Sequence, residues 1–155
     1  MVAVFFRKAG LVSIVPLERG ATVTAHWYVT VCLPQVFHDL RVSRPKAALH
    51  GLQLHHDNAP PHRAQETVDF LSRNGIGLVA HPPYSPDLSP NDFFLFSKLK
   101  SHLRGKHFLS ANEAFSTADS YMRGLETSDW HDCFQQWFQR MKLCIQADGA
   151  YFEKF

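Results

Sequence analysis

The sequence predicts an α/β domain in which a mixed sheet carries helices. Three observations point there. Two β-rich runs at the start, Val2 to Phe6 and Leu11 to Val15, flank a four-residue link with Gly10 available for positive φ; such a pair reads as a hairpin, hence antiparallel. Two later apolar runs, Gly51 to His56 and Ile76 to Ala80, bracket a stretch of helical periodicity, and a strand–helix–strand unit implies parallel pairing through a right-handed crossover. From Pro90 onward the pattern is helical. Together these give a layered α/β architecture.

The elements come in order. Pro16 ends the second strand, because a proline cannot donate to a ladder. From Thr22, Val23, Trp27, Val31, Val36, Phe37 and Leu40 recur at helical spacing, with Pro34 as a kink or break. Ala64, Val68 and Leu71 form the buried stripe expected of the next helix, and Gly75 closes it. His81-Pro82-Pro83 stops the following strand. A loop covers Tyr84 to Leu88, and Ser89 with Pro90 reads as the N-cap and first position of a helix ending at Gly105. Asp92, Phe96, Leu99 and Leu103 fall on one face of that helix, which should meet the sheet. Ser110 and Glu113 make a capping-box pattern ahead of Ala114, Phe115, Ala118 and Met122. Ser128 is the expected cap of a last helix carrying Trp130, Phe134, Trp137 and Met141, with Gly149 after it. Residues 1–109 are read as the α/β part and 110–155 as a helical extension of the same domain.

Composition bounds the function. A chain of 155 residues with 45% hydrophobic and 19% charged residues supports one packed core. A net charge of +2 permits nucleic-acid contact without demanding it. Three cysteines without paired spacing fit a reducing compartment better than a disulfide framework. No apolar run approaches the ~20 residues of a membrane helix, so no membrane partner is expected.

The chemistry concentrates in two stretches, "HHDNAPPH" from His55 and "HPPYSPDLSPNDFFLF" from His81, with 34 residues between Asp57 and Asp92. Ligands of open α/β sheets gather at the carboxyl ends of strands, where Asp57 falls. Two carboxylates brought together repel unless a cation lies between them, and Mg²⁺ or Mn²⁺ prefers such oxygen ligands. A pair of those ions suits phosphodiester chemistry. The plainer alternatives stay open on these grounds: Asp57 as a turn former, Asp92 as an acceptor at a helix start, and Asp87 as a loop-ordering residue. His55, His56, His62 and His81 have the right side chains for zinc but no familiar zinc spacing.

The motif text carries more. "HHDNAPPHRA" and "HPPYSPDLSPNDFFLF", together with "VFFRKAGLVSIVPLERGATVTAHWYVTVCLPQV", "LRGKHF" and "DGAYFE", resemble the catalytic domain of mariner-family transposases across essentially the whole chain. The same sequence type occurs in the transposase half of SET-domain–mariner fusion proteins. The resemblance implies a ribonuclease-H-like fold in which three aspartates hold two divalent metals, Mg²⁺ or Mn²⁺. It also implies DNA cleavage and strand transfer, DNA as partner and a nuclear location. Carried over by position, Asp57 matches the family's second metal-binding aspartate and Asp92 the third. The family's first lies on a strand ahead of the hairpin, so these 155 residues are expected to lack that central strand and its aspartate, and also the helix-turn-helix region that reads transposon ends. Neither Glu18 nor Asp39 has a geometric reason to replace the missing aspartate. His55, His56, Asn58, Arg63, His81, Lys98, Lys100 and Arg104 are the candidate DNA contacts. The expected consequence is a piece of a transposase that is inactive alone, with exposed strand edges and marginal stability. The rival expectation is a non-catalytic module that binds DNA or dimerises, with itself or with a full-length transposase, for which the Trp130–Trp137 helix is a candidate surface.

Overall fold

The computed structural model describes residues 1–149; the Ala150–Glu153 part of the "DGAYFE" stretch lies outside them. The chain divides into two compact units, one of Met1–Phe6 and Val12–Pro83, the other of Arg7–Leu11 and the residues from Tyr84 on.

The first unit contains the parallel sheet and most of the hairpin. Strands β1 (Val2–Arg7) and β2 (Gly10–Pro16) form the expected hairpin, each a residue or so longer than the apolar runs suggested. Gly10 at φ +137° takes a backbone angle that favours glycine, and Leu17 N–H donates to the Met1 carbonyl at 2.9 Å where the hairpin's ends meet. Strands β3 (Gln53–His55) and β4 (Gly77–Val79) pair in parallel, with Leu54 opposite Leu78 and His55 opposite Val79. The expected mixed sheet, read as lacking its central strand, takes the form of two separate two-stranded sheets among the described residues. The parallel pair is three residues long on each side, shorter than the sequence runs.

Between the sheets the chain makes a long helix with a change of pitch. Helix α1 (Ala25–Trp27) starts at Thr24, whose side chain accepts from Trp27 N–H at 3.1 Å. A π turn, Tyr28–Cys32, joins it to α2 (Leu33–Ser43). The wide turn has a local cause: Pro34 has no N–H to offer and its ring crowds the preceding turn, while a π turn, closed by Leu33 N–H on the Tyr28 carbonyl, changes the bonding register just before it. Pro34 thus does not break the helix. The extra residue also rotates the face. Tyr28, Val29, Cys32, Leu33, Val36, Phe37 and Leu40 are buried, whereas Val31, expected inside, is exposed. Most of these residues join Val15, Leu71 and Ile76 in one cluster.

Helices α3 (Pro60–Arg63) and α4 (Gln65–Arg73) link β3 to β4. Thr67 and Leu71 are buried on α4, and Val68 of the expected stripe faces outward. Gly75, at φ +68°, closes α4 as anticipated.

The second unit is helical. A 3₁₀ turn (Pro86–Leu88) precedes a second π turn (Asn91–Phe96), which runs into α5 (Ser97–Leu103). Its N-cap is Pro90; Ser89 contributes its carbonyl, accepting from Asp92 N–H and Phe93 N–H, rather than its hydroxyl. Phe94 and Leu95 are the buried residues here, and Asp92 is exposed. Of the expected inward face, Phe96, Leu99 and Leu103 are half-buried and Asp92 alone is exposed, because a π turn does not follow a repeat of 3.6. Helix α6 (Ala111–Arg123) has the Ser110 cap, accepting from Glu113 N–H at 3.1 Å, while the Glu113 carboxylate reaches one residue further back, to Leu109 N–H at 2.7 Å. Helix α7 (Thr127–Gln146) is capped by Glu126 with Asp129 in a reciprocal box, not by Ser128. Trp130, Cys133, Trp137 and Met122 are buried in this unit alongside Leu88, Ser89, Pro90, Phe94 and Leu95.

Cys32 and Cys133 are buried, and burial pushes each thiol up to about 12. Cys144 is half-buried. Since the thiolate is the reactive form, one of the three cysteines should react with a thiol-specific reagent in the native chain, and all three in denaturant. Mass-spectrometric counting of adducts checks this; native labelling of Cys32 would contradict the packing.

Candidate functional site

The site grows out of the end of β3. After His55 the chain leaves the strand, and Asp57 turns it: Ala59 N–H donates to Asp57 Oδ1 at 3.0 Å, an Asx turn. Pro60 and Pro61 then open α3, with His62 N–H and Arg63 N–H bonded back to the Ala59 carbonyl. The turn-former reading of Asp57 is therefore realised in the fold. Two further bonds hold the turn. Asn58 Nδ2 donates to the His81 carbonyl at 2.8 Å, tying the loop to the end of β4, and the buried Thr67 hydroxyl donates to the Pro61 carbonyl at 2.7 Å.

Four imidazoles surround this turn. His62 Nδ1 lies 2.7 Å from Asp57 Oδ1, its ring stacked on His56 at 4.4 Å and 9° and tilted against Tyr28 at 4.8 Å. His56 Nδ1 meets the Tyr28 hydroxyl at 3.3 Å. His81 Nδ1 meets His55 Nε2 at 3.2 Å, the two rings edge to face. The site thus combines one carboxylate with a partly buried aromatic and imidazole wall. His62 was visible in the sequence only as a zinc candidate; its five-residue spacing from Asp57 across Ala-Pro-Pro is the signal for the contact it makes.

Electrostatics follow from burial. Burial alone would raise the Asp57 carboxyl, but the Ala59 N–H and His62 outweigh it and hold the group below the usual carboxylate range. His55 is pushed down to about 4 by burial and then by His81; His56 is pushed down to about 4 by burial and then by His62, in both cases against the pull of Asp57. Burial raises the Tyr28 hydroxyl, and Cys32 and Asp57 add to the rise.

These shifts make stability depend on pH. With folded values near 4 and ordinary values of 6.5, His55 and His56 take up protons in the unfolded chain first. Their full contribution to stability is present above about pH 6.5 and is lost as the pH falls toward about 4. Melting temperature, measured in chelator, should drop across that window, and His56→Asn should flatten the drop. A flat profile from pH 7 to pH 4.5 would contradict the burial of these rings.

Asp92 sits in the first turn of the Asn91–Phe96 segment, exposed at its surface. Of the basic candidates, Arg63, Lys100 and Arg104 are exposed. Lys98 is engaged: its ammonium pairs with Asp129 at 2.5 Å and lies 5.0 Å from the centroid of the Phe94 ring. Among the described residues, no group of three or more His, Cys, Asp or Glu side chains is arranged to hold a metal. Asp57 and Asp92 each fit as a single ligand, being carboxylates open to solvent, and Asp57 is held ionised.

No family model matches the chain. Homologues include the histone-lysine N-methyltransferase SETMAR of Homo sapiens, 32% identical over 99% of this chain and 22% of that protein. They also include the Mariner Mos1 transposase of Drosophila mauritiana, 27% identical over 99% of this chain and 45% of the relative. The chain spans less than half the length of either. Among solved structures, the catalytic domain of Mos1 mariner transposase matches with a TM-score of 0.90 at 27% identity, over 98% of this chain and 75% of that one. The Mos1 paired end complex with Mn matches with a TM-score of 0.90 at 28% identity, over 98% and 44%.

Proposed function

We propose that this chain, a homologue of the Mos1 mariner transposase, carries the Asp57 and Asp92 portion of a metal-dependent DNA cleavage and strand-transfer site on a ribonuclease-H-like scaffold. The observation that carries the reading is the Asp57 turn: a solvent-open carboxylate, kept ionised, at the carboxyl end of a parallel strand. The whole-length match to a transposase catalytic domain supports it, as does the presence of Mn in a Mos1 paired end complex.

On this reading Asp57 and Asp92 are ligands for Mg²⁺ or Mn²⁺. The cation, when bound, supplies charge neutralisation at a phosphodiester and a more acidic water. The chain's own residues do the rest. Asn58 and the two prolines keep the loop in place, and the His62 ring, stacked on His56, lies against Asp57. Arg63, Lys100 and Arg104 are phosphate contacts. Lys98 reaches a phosphate only by leaving Asp129. DNA is the partner and the nucleus the location, with homodimerisation or pairing with a full-length transposase as further partners.

The 155 residues by themselves offer two of the three metal-binding carboxylates, so we assign them no cleavage activity alone. Plasmid nicking in Mn²⁺ is expected at background, whereas Mn²⁺ binding, followed by the free-ion electron paramagnetic resonance signal, should fall with Asp57→Ala and with Asp92→Ala. Robust Mn²⁺-dependent nicking would overturn the inactivity, and unchanged Mn²⁺ binding in both variants would overturn the metal role. A DNA-binding or dimerising module is the second reading. Salt-sensitive DNA binding that ignores Mn²⁺ would favour it.

A further inference from the structure

Asp57 has two carboxylate oxygens, and the fold treats them differently. Both of its side-chain hydrogen bonds fall on Oδ1, from Ala59 N–H at 3.0 Å and from His62 at 2.7 Å. An ionised carboxylate only accepts, so the proton in the second bond belongs to His62 Nδ1. The Ala59 bond comes from the turn itself, and any residue there with a backbone N–H would give it. The His62 bond is different, because the ring that gives it is independently clamped. It stacks on His56 at 4.4 Å and packs on Tyr28 at 4.8 Å. Its backbone is fixed from before by two prolines and from behind by the Thr67 bond to Pro61. A carboxylate with a single donor can still swing about its terminal torsion. One with a second donor on the same oxygen, from a ring that cannot follow it, is held in one orientation.

We propose that His62 is a positioning residue for Asp57: its Nδ1–H saturates Oδ1, fixes the carboxylate plane and so presents Oδ2 to the divalent cation. This rests on the reading of Asp57 as a metal ligand. Hydrogen-bond partners behind a ligand typically change metal affinity by about 10–100-fold when removed.

The test uses Mn²⁺ alone as the probe, titrated into the full 155-residue chain and followed by the free-ion resonance signal. Two variants separate donation from packing. His62→Phe keeps a ring to stack on His56 but has no donor. His62→Asn has a donor near the position of Nδ1 but no ring. Positioning predicts that His62→Phe loses on the order of ten-fold in Mn²⁺ affinity, while His62→Asn keeps most of it. If His62→Phe binds Mn²⁺ like the unchanged chain while Asp57→Ala loses binding, the role of His62 is overturned and the metal reading stands. If Asp57→Ala also binds like the unchanged chain, the metal reading falls and the role of His62 falls with it. Loss in His62→Asn with retention in His62→Phe would show that the ring acts through packing and would likewise overturn the proposal.

Discussion

Trp130→Ala should destabilise the second unit by about 3–5 kcal/mol, the usual range for removing a buried aromatic. Trp130 is 1% exposed, the largest of the fully buried side chains, and its ring lies 5.9 Å from that of Phe94. Phe94 comes from the π turn that carries Asp92, so the indole supports the segment bearing one of the two proposed ligands. Urea titration, with Phe138→Ala as the comparison, checks it. Phe138 lies further along α7 and is 47% exposed, so its loss should cost far less. Equal midpoints for the two variants would contradict the packing.

Leu33→Ala is the second, at about 2–5 kcal/mol. Leu33 is fully buried in the first unit's cluster, against Val31, which is 48% exposed two residues earlier. The informative experiment is the pair. Val31→Ala should stay within about 0.5 kcal/mol, as surface changes do. A helix without the π turn would put Val31 on the Trp27 side of the apolar stripe, as its spacing suggests, and the two substitutions would then be comparably costly.

That pair marks where sequence reasoning held and where it failed. The hairpin was legible because β-rich runs and Gly10 are local signals. The parallel β3–β4 pair was legible because the strand–helix–strand rhythm leaves few topologies. Capping at Ser110 was legible for the same local reason, since its donor is three residues away. The faces of two helices were legible only in part, with Val31 and Asp92 falling outside. Each contains a π turn, and a periodicity argument assumes a constant angle per residue. Pro34 predicts a kink or break from its sequence, whereas its missing N–H is absorbed by a change of pitch. Ser128 lost its cap role to Glu126 because a carboxylate can cap as well, and the Asp129 box decided the choice. At the candidate site, the motif marks Asp57, and the Asx turn it makes follows from the Asp-Asn-Ala-Pro text. The bond from His62 to Asp57 is not legible in the sequence, because hydrogen bonding between side chains five residues apart depends on the intervening turn. Lys98 reads as a candidate phosphate contact by its charge; its tie to Asp129 is a tertiary fact that no local pattern carries.

The π turn at Asn91–Phe96 has a consequence beyond burial. An α-helix advances about 100° per residue, so one residue taken up in a wider turn acts as a phase shifter between the chain on its N-terminal side and the helix on its C-terminal side. Asp92 lies in the first turn of this segment, and α5 with Lys98 and Lys100 follows it. The bearing of the carboxylate relative to those cations is therefore set by helix pitch as well as by side-chain choice. A variant could keep every functional residue and still aim Asp92 in another direction, simply by restoring a regular helix.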